Sequence, residues 1–136
     1  MTRSCVSDLR VRYAETDQMG VVYHVNYLVW CEVGRTDYLR RTGTSYAELE
    51  SRGIGLAVTE ATLRCIASAR YDDEIKVTTT LGDVKSRTLT FDYSITHAKS
   101  GALLATARTV LISVDGTGRV TALPEALRAR LLEGVA

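Results

Sequence analysis

Residues 13–27 read YAETDQMGVVYHVNY, from Tyr13 to Tyr27, and their interpretation decides that of the rest of the chain. The stretch sets one carboxylate, Asp17, in a short loop containing Gly20, directly ahead of a long amphipathic segment. A chain that leaves a strand through such a loop can aim an acid at the free N–H groups of the following helix. That places a nucleophile or base beside a site for a developing oxyanion, which is what acyl transfer needs. From residue type alone Asp17 also suits a plain turn or cap, because aspartate hydrogen-bonds its own backbone in such places.

Upstream, about Cys5 to Tyr13, Leu9, Val11 and Tyr13 alternate with Arg10 and Arg12, the period of a half-buried strand. Downstream, Val25, Leu28, Val29, Val33 and Leu39 recur at helical spacing from about His24 to Arg41, and Gly43 supplies the stop. Gly34 inside this helix costs about 1 kcal/mol against alanine; close approach of the helix backbone to a sheet is the expected compensation. A second short helix is expected over about Ser45 to Arg52, behind a Thr44 cap and ending at Gly53.

The second half reads as strands: Leu56 to Ser68, Ile75 to Leu81, Leu89 to Thr96, and Ala102 to Val114 with Val110, Ile112 and Val114 on one face. Turn signals separate the later strands at Tyr71-Asp72-Asp73, Gly82-Asp83, Ser100-Gly101 and Asp115-Gly116. Pro124 opens a short final helix from a first-turn position. Short connections imply antiparallel neighbours, and the long helix is the cover that an apolar sheet face needs. The expected fold is α+β, an antiparallel sheet wrapped around a long central helix, with residues 1–136 as one domain.

Composition narrows the function classes. A net charge of +1 argues against a broad nucleic-acid surface. Cys5, Cys31 and Cys65 are odd in number and widely spaced, matching neither a disulfide framework nor a zinc site. The N-terminus MTRSCVSDLRVR lacks an apolar core of signal-peptide length, and no run approaches the ~18 apolar residues of a membrane span. A soluble, cytoplasmic protein with reduced thiols is expected. With only His24 and His97 present, no spacing favours a Ser-His-Asp or Cys-His system, and no G-x-x-x-x-G-K-[ST] loop occurs. Glu60 is a conceivable second carboxylate, with an ion pair to Arg64 or a neighbour as the plainer reading.

The runs RVRYAETDQMGVVYHVNYLVWCEVGRTDYLRRTG, ARYDDEIKV and KSRTLTFDYSI resemble the hot-dog fold acyl-CoA thioesterases. The resemblance is to the 4-hydroxybenzoyl-CoA thioesterase family, including its relatives associated with the Tol–Pal system. It extends from about Leu9 to Val114 and is carried by the core D-x-x-G-V-V-Y-H-x-N-Y. It implies a hot-dog fold and hydrolysis of an acyl-CoA thioester to a free carboxylic acid and coenzyme A, with no metal and no redox cofactor.

On this resemblance Asp17 carries the catalysis, by direct attack on the thioester carbonyl or by activating a water. The backbone N–H groups around Tyr23 and His24 would hold the oxyanion, and Tyr27 would line the acyl pocket. The hydroxybenzoyl-specific enzymes have an aromatic residue where this chain has His24, whereas the Tol–Pal-associated relatives have histidine; short-chain acyl groups therefore stay open. Lys85, Ser86 and Arg87 match a basic trio that grips coenzyme A phosphates, with serine replacing the middle cation, so the grip would be weaker or shared with Arg70. A homo-oligomer, a dimer of dimers with active sites at subunit interfaces, is implied. The alternatives are an acyl-carrier-protein thioesterase and a non-catalytic acyl-CoA-binding protein of the same fold.

Overall fold

The computed structural model describes residues 2–135. Strand β1 (Ser4–Arg10) leads through a 3-10 turn (Tyr13–Glu15) to helix α1 (Val25–Arg41) and helix α2 (Tyr46–Ser51). Strands β2 (Gly55–Cys65), β3 (Glu74–Val84), β4 (Thr88–His97) and β5 (Leu103–Val114) follow, and helix α3 (Glu125–Glu133) closes the chain. The strands form one antiparallel sheet in the order β1-β3-β4-β5-β2, an α+β architecture as expected. No helix among the described residues is long and apolar enough to cross a membrane.

The sheet's period-two alternation sends Ile75, Val77, Thr79 and Leu81 of β3 and Leu89, Phe91, Tyr93 and Ile95 of β4 to one buried face. On β5 the buried set is Ala105, Ala107, Thr109, Leu111 and Ser113, so Val110, Ile112 and Val114 point the other way. The register explains this, since Leu111 sits opposite Leu89 and Thr109 opposite Phe91.

Helix α1 lies on the same face and differs from the sequence reading in which side it buries. Tyr27, Trp30, Cys31, Gly34, Tyr38 and Leu39 face inward, while Val25, Val29 and Val33 are exposed. The cause is Gly34. A Cβ there would overlap Thr79 Oγ1 and press on Val77, so the helix descends onto β3 at its glycine. The rings of Tyr27, Trp30 and Tyr38 fill the space on either side, Tyr38 meeting Phe91 edge-on at 5.7 Å. The compensation expected for Gly34 is therefore present.

Several boundaries move. Strand β1 ends at Arg10, which leaves Tyr13 exposed in the 3-10 turn, and β2 ends at Cys65 instead of Ser68. Helix α2 is capped by Ser45, whose hydroxyl accepts from the Glu48 N–H at 3.1 Å. Thr44 is instead buried, with its hydroxyl 3.0 Å from an Arg130 guanidinium nitrogen. Strand β2 is an edge of the sheet, largely exposed, with a register shift between Val58 and Glu60.

Candidate active site

The loop after β1 turns back on itself around Asp17. The Asp17 N–H donates to the Val21 carbonyl at 2.9 Å, and the Gly20 N–H donates to the Asp17 carbonyl at 3.0 Å. The Met19 N–H donates to Asp17 Oδ1 at 2.8 Å, the local side-chain bond that aspartate favours in turns. Gly20 takes φ +78°, where a side chain would be strained. One carboxylate oxygen is thus held, and Oδ2 has no hydrogen-bond partner among the described residues. The turn is pinned from outside as well: the Val22 N–H donates to the Ala69 carbonyl at 2.9 Å, and Arg70 Nη1 approaches the Gly20 carbonyl at 3.5 Å.

Asp17 lines a cleft of about 350 Å³ with Val21, Val22, His24, Tyr27 and the 65–68 segment that leaves β2. Tyr27 is buried there. Its hydroxyl donates to the Ala67 carbonyl at 3.4 Å and accepts the Ala69 N–H at 3.2 Å, which orients the ring. Burial raises the phenol's pKa, so it stays neutral. Cys65 supplies an exposed thiol to the same cleft.

Helix α1 starts at the cleft, and its first turn shows which donors are free. The Asn26 N–H donates to the Tyr23 carbonyl at 2.9 Å and the Tyr27 N–H to the His24 carbonyl at 3.1 Å. Among the described residues, the His24 and Val25 N–H groups have no backbone partner. The Tyr23 N–H corrects the sequence expectation: it donates to the Glu15 carbonyl at 2.9 Å and is not available to a substrate. The open donors begin one residue later, at His24. The rings of Tyr23 and His24 meet edge-on at 4.7 Å, both exposed.

Glu15 and Asn26 went unnoticed in the sequence. Glu15 is only 5% exposed, although carboxylates are rarely buried unless paired. Its Oε1 accepts the Arg12 N–H at 2.8 Å and its Oε2 accepts Trp30 Nε1–H at 2.8 Å. Asn26 Nδ2 donates to the Glu15 carbonyl at 2.8 Å. The only signal was the need of a core tryptophan for an acceptor, which names no partner.

Lys85, Ser86 and Arg87 form the exposed turn between β3 and β4. The structure does not bring them to Asp17. Arg10, just ahead of the Asp17 loop, pairs with Glu74 at the start of β3, whereas Lys85 follows the last residue of that strand. At about 3.3 Å per residue, β3 separates the two ends by roughly 30 Å. Arg70 is a cation that reaches the Asp17 loop itself, its Nη1 3.5 Å from the Gly20 carbonyl. Glu60 is exposed on β2, outside the cleft.

Residues 11–131 match the family model described as the thioesterase-like superfamily. YneP of Bacillus subtilis is 37% identical over 108 residues, 79% of this chain and 78% of that protein. The acyl-CoA thioester hydrolase YbgC of Escherichia coli is 33% identical over 107 residues, 79% of each chain. The crystal structure of a DHNA-CoA thioesterase from Staphylococcus aureus superposes with a TM-score of 0.89 at 32% identity, covering 96% of this chain and 91% of that one.

Proposed function

Because the chain belongs to the thioesterase-like superfamily, we propose that it is an acyl-CoA thioesterase, hydrolysing a thioester to a free carboxylic acid and coenzyme A. The observation that carries this reading is the pairing at one cleft of the Asp17 carboxylate, one oxygen held and one open, with the unpaired N–H groups that start α1. Asp17 supplies the carboxylate that adds to the thioester carbonyl or draws the proton from an attacking water. Either route places negative charge on the carbonyl oxygen. The N–H of His24, at the positive end of a 17-residue helix, receives it. Removing one such donor costs about 10²–10³ in rate in other acyl-transfer sites. Tyr27 forms the acyl wall. His24 supports placing the chain in the Tol–Pal-associated branch of the 4-hydroxybenzoyl-CoA thioesterase family, and the sheet packed on α1 supports the hot-dog fold for residues 1–136 as one domain.

The same proposal includes a dimer, and beyond it a dimer of dimers. Strand β2 offers an open edge. A two-fold, antiparallel apposition of two β2 edges turns one copy end for end against the other. The Lys85–Arg87 end of one copy then faces the same way as the Asp17 end of its partner, which makes a shared coenzyme A site geometrically reasonable.

The test is hydrolysis of a panel of short, long and aromatic coenzyme A thioesters by the wild type and by Asp17→Asn. The amide keeps an oxygen for the Met19 N–H and so keeps the turn, but it is neither nucleophile nor base. Turnover should fall by about 10²–10⁴ with binding retained. A variant keeping more than about a tenth of wild-type turnover would remove Asp17 from the chemistry.

A further inference from the structure

We propose that Glu15 is a positioning residue that decides which backbone amide is offered to the oxyanion; this rests on the thioesterase reading above. Two clamps hold its buried carboxylate. The Arg12 N–H binds Oε1 at 2.8 Å on the side where the chain leaves β1. Trp30 Nε1–H binds Oε2 at 2.8 Å from within α1, with the Arg12 guanidinium 3.5 Å from the same oxygen. A carboxylate held this way cannot drift, and it holds its own backbone still.

That backbone carbonyl accepts two bonds, from the Tyr23 N–H at 2.9 Å and from Asn26 Nδ2 at 2.8 Å. The first occupies an amide that would otherwise stand open beside the cleft. The second ties the carbonyl to the first turn of α1, so the loop and the helix start move as one piece. A helix leaves its first N–H groups without intrahelical partners; Tyr23, one residue ahead of the His24 cap, would extend that open set backward, and the Glu15 carbonyl closes it, so the set begins at His24. If the carbonyl moves, Tyr23 is released and the donor position slips by one residue. Tyr23 precedes the helix cap at His24, and consecutive residues stand about 3.8 Å apart along the chain. A misplacement of about 1 Å near reacting atoms costs on the order of 10²-fold in rate.

Glu15→Gln tests this with little change of shape. Its amide nitrogen must face either the Arg12 N–H or the Trp30 N–H, donor against donor, so one clamp fails. Trp30→Phe opens the other clamp without touching the loop, and serves if the first variant does not fold. Amide hydrogen exchange by NMR reads the clamp directly: in the wild type the Tyr23 amide should be protected and the His24 amide not. Both variants should lose protection at Tyr23 by about tenfold or more. The kcat of Glu15→Gln should fall by about 10²-fold while KM stays within about twofold, the mark of an interaction made only in the transition state. Unchanged kcat in the folded variants, or a wild-type Tyr23 amide exchanging as fast as that of His24, overturns the proposal. So does a loss of thermal stability with Tyr23 protection intact, which is the signature of a merely structural role. A wild type inactive on every thioester overturns the functional reading alone, since the exchange pattern still decides whether Glu15 selects the open amide.

Discussion

Gly34 and Thr79 meet so closely that the helix has no room for a Cβ where it crosses the sheet. The glycine lowers α1 onto β3. Gly34→Ala should cost about 1–3 kcal/mol of stability through overpacking, despite the better helix propensity of alanine. Thr79→Ala removes the atom in the way, so the double variant should recover most of that loss. Denaturant unfolding of the four proteins measures the coupling, and strict additivity of the two changes would contradict the contact.

Lys85 and Arg87 are expected to act on substrate bound at a different copy's Asp17. Replacing both by alanine should raise KM for full coenzyme A esters about tenfold, for about 1.5 kcal/mol of lost charge-assisted bonding. The kcat should hold, and a pantetheine thioester lacking the nucleotide should not discriminate wild type from variant. Equal losses on both substrates would mean that the turn supports the fold.

The three thiols should differ sharply toward alkylation. Cys5 and Cys31 are buried, and burial pushes the Cys31 thiol up to about 12, where thiolate is scarce at neutral pH. Cys65 is exposed in the cleft. Mass spectrometry after brief iodoacetamide treatment should find Cys65 modified first, and a non-hydrolysable acyl-CoA analogue should protect it. Labelling indifferent to the analogue would place the acyl group elsewhere.

Stability should decline in alkali through Cys31 and Tyr93. Both are acids kept neutral by burial when folded, each pushed up to about 12, from 9.0 for the thiol and 10.0 for the phenol. The unfolded chain ionises first, so the folded state binds the extra protons and stability falls as pH rises from about 9 to about 12. The slope is about 1.4 kcal/mol per pH unit for each group fully within its window. Cys31→Ala should flatten the part that begins near 9; an unchanged slope would show that the thiol does not titrate across folding.

The sequence was most legible where the pattern was local. Alternation located β3, β4 and β5 to within a residue or two at most ends, because each strand buries one face. Helix α1 was located as well, yet its buried side was misjudged. The valines announced an apolar stripe of which Leu39 is buried, but Val25, Val29 and Val33 are exposed and the side carrying Gly34 is the one that fits the sheet. At the site, the loop motif singled out Asp17, His24 and Tyr27, which line one cleft. The commitment of the Tyr23 amide was not legible, because it depends on Glu15, eight positions earlier, returning to the helix start through the fold. The separation of Lys85 from Asp17 was hidden for the same reason, since motif matching carries no distance.

The turn around Asp17 has a consequence for how such a protein can change over generations. Its internal bonds use the backbone of residues 17 and 19–21 and the aspartate's own side chain; none uses the side chain of Gln18 or Met19, both exposed. The acid's aim and the chemistry of the neighbouring rim are therefore separately heritable. Drift at residues 18 and 19 can change the exposed face of the loop while the carboxylate keeps its bearing. A lineage built on this frame can vary the surface of the loop without first disturbing the carboxylate it holds.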